Sequence, residues 1–164
     1  MMFRTLMISA LLSAQTAIAG GIAVVDFNKA GSLVREGTKM QAELEELKAD
    51  RTERLKEMEA QLMAMQTDYQ KQAMILSEDT RKQKESEIMA ATQEFQSAMA
   101  SAQQEFSSAA ERKGAALFER LRTTCETIGK EKGYDMIIEA SAVMYLGKAD
   151  DITAELVTRF DSGK

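Results

Sequence analysis

Between Gly37 and Gly114 the chain contains no glycine, and it contains no proline at all. These two residues are the usual punctuation of regular structure, so their shared absence over so long an interval points to uninterrupted helix. The same stretch, 38–113, has no valine and only two isoleucines, Ile75 and Ile88. β-Branched side chains lose rotamer freedom in helices and fit strands well, and here they gather on either side of the gap. The middle of the chain is therefore expected to be helical and its ends to carry strands.

The apolar residues of the middle keep a coiled-coil step: Met40, Leu44, Leu47, Arg51, Leu55, Met58, Leu62, Met65 and Tyr69. Two consecutive steps of four around Arg51 form a stutter, which locally unwinds a left-handed supercoil; the arginine stem can snorkel from such a position. A second stripe runs through Ile88, Ala91, Phe95, Met99, Ala102, Phe106 and Ala109, and continues past Gly114 at Leu117, Leu121, Cys125 and Ile128. Two stripes in one chain need a reversal. Leu76-Ser77-Glu78-Asp79 supplies it, with Ser77 as N-cap and two acids at the positive end of the returning helix. An antiparallel hairpin with arms of about 57 Å follows from the helical rise.

On the flanks, Ile22-Ala23-Val24-Val25-Asp26-Phe27 reads as a buried strand and Tyr134-Asp135-Met136-Ile137-Ile138-Glu139-Ala140 as another, opened by Gly133. Val143-Met144-Tyr145 offers a third. After Gly147, Asp150 or Asp151 can cap a last helix whose Ile152, Leu156 and Phe160 share one face. So few short strands are marginal alone. Pooling them between subunits is the economical solution, with Ile22, Val24, Val25, Met136, Ile138, Val143 and Tyr145 as the candidate oligomerisation residues. The fold class expected is α+β: a long coiled-coil hairpin, 38–113, projecting from a small β-containing body made of 20–37 and 114–164.

Residues 1–19 stand apart. Arg4, a short apolar run from Leu6 to Ala14, and Ala17-Ile18-Ala19 make the charged start, apolar core and small-x-small end of a cleavable export signal. The apolar run is too short to span a bilayer, and no cysteine follows the cleavage point to carry a lipid. Removing this segment takes away Arg4 and no acid, so the formal charge of −5 becomes −6. Nucleic acid is not the expected partner of such a chain. Export with a single cysteine, Cys125, excludes an internal disulfide and leaves it as a small buried apolar group.

The sequence also lacks histidine, which removes Ser-His-Asp and Cys-His catalysis, imidazole metal ligation and imidazole proton transfer. No carboxylate pair sits in a general acid/base setting, and Asp150-Asp151 lacks the spaced oxygen ligands of a cation loop, so capping is the better use for it. Gly129-Lys130 is not a phosphate loop, because Thr124 stands where the first glycine belongs and Glu131 where Ser or Thr should follow. Neither an enzyme nor a cofactor is expected.

The opening Ile22-Ala23-Val24-Val25-Asp26-Phe27 and the closing Tyr134-Asp135-Met136-Ile137-Ile138-Glu139-Ala140-Ser141-Ala142-Val143-Met144-Tyr145, with Asp151-Ile152-Thr153 after it, resemble the Skp/OmpH periplasmic chaperones. The resemblance covers everything beyond the export signal. It implies a homotrimer whose strands form a small body and whose three hairpins enclose a cavity for unfolded outer-membrane proteins, acting in the periplasm without ATP. The best-known members have basic arms, whereas 38–113 holds eleven Lys or Arg against fifteen Asp or Glu. That departure argues against carrying over contact with lipopolysaccharide or membrane surfaces.

Methionine supports client binding independently. Seven of nine methionines beyond residue 19 lie in the hairpin, and this flexible, polarizable side chain fits many apolar partners. Met40, Met58, Met65 and Met99 fall on the stripes and suit the seam; Met63, Met74 and Ile75 fall off them and, with Leu76, are the candidate client contacts. The stretch 88–110, charged only at Glu94 and Glu105, suits close packing of small residues or a low-charge cavity wall. The competing reading of the whole chain is a coiled-coil spacer or adaptor of the cell envelope.

Overall fold

The structure is a computed structural model that describes residues 21–163; the expected export signal at 1–19 lies outside them. Strand β1 (Ile22–Val25) leads into a short helix α1 (Phe27–Leu33), then α2 (Arg35–Gln72) runs outward and α3 (Glu78–Lys132) runs back. Strand β2 (Met136–Glu139), a 3-10 turn at Ala140–Ala142, strand β3 (Asp150–Asp151) and helix α4 (Thr153–Ser162) complete the chain. The expected helical hairpin on a small β body is what the chain forms.

Its reversal lies where the sequence places it. α2 ends at Gln72, and Ser77 caps α3 by accepting a hydrogen bond from the Thr80 amide at 3.3 Å, with Glu78 and Asp79 in the first turn. α3 stops at Gly133, whose φ of 70° is left-handed backbone that a residue without Cβ adopts at little cost. At the near end, Val34 turns extended between α1 and α2, and Gly37 then packs directly on the Gly31 carbonyl, where a Cβ would overlap it.

The sheet has the order β2-β1-β3, all parallel. Ile22, Ala23, Val24 and Val25 pair with Met136, Ile137, Ile138 and Glu139. The third strand is Asp150–Asp151, paired with Ala23 and Val24, and not Val143-Met144-Tyr145. Those three residues form a connection on the open side of the sheet instead, because the chain needs that length to cross to the far edge of β1.

One face of the sheet is covered by the chain's own helices. Ala23 and Val25 pack with Ala30, Val34, Leu117, Leu121, Cys125, Ile128, Ile152, Leu156 and Phe160 in one buried cluster. This core differs from the expectation that the strands find no cover within a single chain: α1, α4 and the base of α3 supply it. Cys125 is the small buried apolar group expected, and burial pushes its thiol titration up. Arg120 stacks over Phe160, 4.8 Å from the ring centroid, and also reaches Glu36, so the bases of both arm helices and α4 are tied together.

Thr153 fastens the start of α4 to the sheet. Its hydroxyl accepts from the Asp26 amide at 2.9 Å and Asp151 Oδ1 accepts from the Thr153 amide at 2.9 Å, but the N-cap of α4 is Ile152, without a side-chain cap bond, and not Asp150 or Asp151 as expected. Hydrogen bonding to the Thr153 hydroxyl and then to the Thr153 amide holds the Asp151 carboxyl below its ordinary titration range. Replacing Thr153 by Val keeps the shape, strands the Asp26 N–H and should destabilise the chain by about 1–2 kcal/mol in urea unfolding. Because the native Asp151 value is lowered, its contribution is present above the titration of an unfolded aspartate and fades as pH falls through the lowered one. Asp151→Asn should therefore flatten the acid side of the stability curve.

Candidate functional site

The arm is held in register by charges that bridge the two helices. Glu36 meets Arg120, Glu43 meets Lys113, and Arg51 Nε donates to Glu105 at 2.8 Å. Each step along α2, of seven and then eight residues, is matched by an equal step back along α3. Nearer the tip Lys84 pairs with Asp68 at 3.0 Å and the Tyr69 hydroxyl bonds Glu85. Lys113 draws the Glu43 carboxyl below its usual range, and Glu105 raises the Arg51 guanidinium further above neutrality. None of these groups is buried and all remain in contact with water, so each pair adds little stability; their consequence is alignment.

Between the helices lie the stripes. Leu44, Leu47, Arg51, Leu55, Met58, Leu62, Met65 and Tyr69 are each half-buried, as are Ile88, Ala91, Phe95, Ala102 and Phe106 on the return. Met99 departs from its expected seam position: it is 52% exposed, and the smaller Ala98 takes the half-buried place. Alanines here let the helices approach, and an unbranched methionine is pushed to the side. Around this level two cavities of about 580 and 600 Å³ flank the seam, both touching Arg51, Leu55 and Ala102.

Three of the four candidate client contacts point to solvent. Met63 is 61% exposed, Met74 98% and Ile75 84%, while Leu76 is half-buried in the reversal. Met89, 69% exposed, and Met99 join them. Sequence periodicity misses Met99 because a shift of one residue keeps an acceptable heptad step; the run of alanines beside it is the signal that the seam passes elsewhere.

The candidate oligomerisation residues separate by strand alternation. Ile22, Val24, Ile138, Val143 and Tyr145 line one cavity of about 520 Å³ on the sheet face away from the core. Met136 is 54% exposed at the β2 edge. Val25 points the other way into the chain's own core and is 1% exposed, leaving nothing to offer a partner. Met144 and Tyr145 are almost fully exposed.

Among the described residues there is no cluster of three or more metal-ligating side chains, and no helix is long and apolar enough to cross a membrane. Comparison with known proteins addresses the family directly. Residues 21–160 match the family described as outer membrane protein (OmpH-like). The chain belongs to the OmpH-like family. A crystal structure of an OmpH-like protein from Caulobacter crescentus CB15 superposes with a TM-score of 0.82 at 16% identity, covering 100% of this chain and 92% of that one. No curated protein matches the sequence significantly.

In this OmpH-like chain the arm buries one stripe per helix, whereas the body buries a cluster of eleven residues. Distal backbone should consequently open at lower free energy than the sheet. Amide exchange over 69–84 is expected to be fast compared with 22–25 and 136–139; equal protection would contradict that ordering.

Proposed function

We propose that this OmpH-like chain is an ATP-independent holdase of the periplasm, a homotrimer whose arms enclose unfolded outer-membrane proteins. Family membership supports the coarser reading, a chaperone of the Skp/OmpH type; the Caulobacter protein of like fold is itself considered a candidate outer membrane chaperone. The observation that carries the finer reading is the arm surface. Large apolar side chains, Met63, Met74, Ile75, Met89 and Met99, stand in solvent outside the seam. A spacer has no use for them.

Assembly through the open sheet face gives three arms a common base. Ile22 and Ile138 form the floor of that face, and soluble chains seldom leave such apolar surface uncovered. Light scattering should give the mass of three chains. Ile138→Asp should lower it by placing an unpaired charge in the interface; an unchanged trimer would remove β2 from the contact.

Client binding is tested by suppression of aggregation of an unfolded outer-membrane barrel, without nucleotide. A spacer leaves aggregation unchanged. If the contacts are mainly apolar, raising salt should alter affinity little, and replacing Met63, Met74 and Ile75 together by Ser should weaken it. At about 1 kcal/mol for each side chain the loss is roughly a hundredfold if the effects add. Steep salt dependence with an unaffected triple variant would move the interaction to charged surface.

A further inference from the structure

The chain has no tryptophan and no histidine. Its one thiol, Cys125, is buried, and that burial, followed by the nearby Glu126 and Glu139 carboxylates, pushes its titration up and away from the reactive thiolate. Among the described residues the thioethers are then the groups that most readily take an oxygen atom from a peroxide. They are sorted by place. Met63, Met74, Met89 and Met99 stand outside the arm seam, each more than half exposed. Met40, Met58 and Met65 lie on the α2 stripe and are half-buried, and Met40 also packs against the body core. The buried core cluster itself holds no methionine. An oxidant arriving from solvent therefore meets the apolar outside of the arm before it meets the side chains that hold the fold.

The chemistry is a two-electron oxygen transfer. The thioether sulfur attacks one oxygen of the peroxide, so the S–O bond forms as the O–O bond breaks. Sulfur is oxidised and the peroxide reduced; the departing oxygen takes the proton of the transferred hydroxyl and leaves as water. The product is a sulfoxide, polar where the thioether was apolar. Its oxygen holds water, and pressing it against an apolar segment of another chain strands that polar group. Leucine at the same positions would offer similar apolar surface without this reaction.

We infer that Met63, Met74, Met89 and Met99 form a reversible oxidation site, at which a peroxide makes sulfoxides that release the arm's hold on apolar client segments while the hairpin and body stay folded. The inference rests on the holdase reading above and adds a regulation to it. Fold and grip are separable because the seam methionines are shielded and the core has none to oxidise. Reversal requires methionine sulfoxide reductases, one for each sulfoxide epimer. In that step two thiols are oxidised to a disulfide and the sulfoxide oxygen leaves as water.

The test treats the full chain beyond its export signal with hydrogen peroxide, destroys the excess with catalase, and then adds an unfolded outer-membrane barrel without nucleotide. Peptide mass spectrometry should find oxygen at Met63, Met74, Met89 and Met99 before Met40, Met58 and Met65. Circular dichroism and sedimentation mass should match the untreated protein, while client affinity falls by about tenfold or more. Incubation with both reductases and dithiothreitol should restore it. Replacing the four arm methionines together by Leu should abolish the response, so that treated and untreated variant bind alike whatever affinity the variant starts from. Oxidised parent that holds the client as well as untreated parent would overturn the inference. So would oxidation of the seam methionines at the same rate with loss of helix, or an equal response in the Leu variant, which would move the effect to Met136 and Met144 on the body. An untreated parent that never holds the client would instead overturn the holdase reading, and the switch with it.

Discussion

The parallel pairing of β1 with β2 governs the architecture. Ile22 meets Met136 only after the chain has travelled out along α2, reversed at 73–77 and come back along α3. Parallel neighbours always need a crossover, and here that crossover is the whole arm. The loop closed by the sheet is long, but closure entropy grows only logarithmically with length. A stiff helical hairpin in fixed register lowers it further by delivering Met136 close to Ile22. The arm is thus a condition for the body as well as an attachment to it.

That dependence gives meaning to the division of labour along the arm. The charged pairs from Glu36–Arg120 to Asp68–Lys84 are solvent-accessible and individually weak, yet they lie in matched steps, so slipping one helix by a turn breaks several together. Alignment is thereby carried by polar groups at the edges of the seam. The apolar side chains outside it are released from structural duty, which is why Met63, Met74 and Ile75 can stand in solvent without loosening the hairpin.

Much of this was readable from residue order alone. The glycine gap, the banishment of β-branched residues to the flanks, and Ser77 before two acids are local signals, and local signals survive into the fold. What the sequence hid depended on tertiary choices. Val143-Met144-Tyr145 has strand chemistry but is consumed in crossing the sheet, while Asp150 and Asp151, poor strand formers, pair with β1 because the chain arrives there. Val24 and Val25 are both buried, at 5% and 1% exposed, but on opposite faces of β1, and only Val25 joins the core cluster under the helices. Met99 lost its seam position to Ala98 by a single residue, a margin that a heptad step cannot resolve. At the candidate site, the exposure of Met63, Met74 and Ile75 was legible from their phase, whereas that of Met99 was not.

The core within one chain separates its fold from any assembly. Had the strands found cover only between chains, dissociation and unfolding would be one event. Instead α1, α4 and the base of α3 bury one face of the sheet within the chain, around Val25, Leu121, Ile128 and Leu156, all at most 1% exposed. The opposite face, with Ile22, Ile138 and Tyr145, is not covered by those helices. Such a chain can fold alone, and in the proposed assembly its association free energy would depend on the open face while its fold depends on the closed one. In that proposed assembly the arms would flex without straining the subunit contacts, since their seam and the open face share no residues.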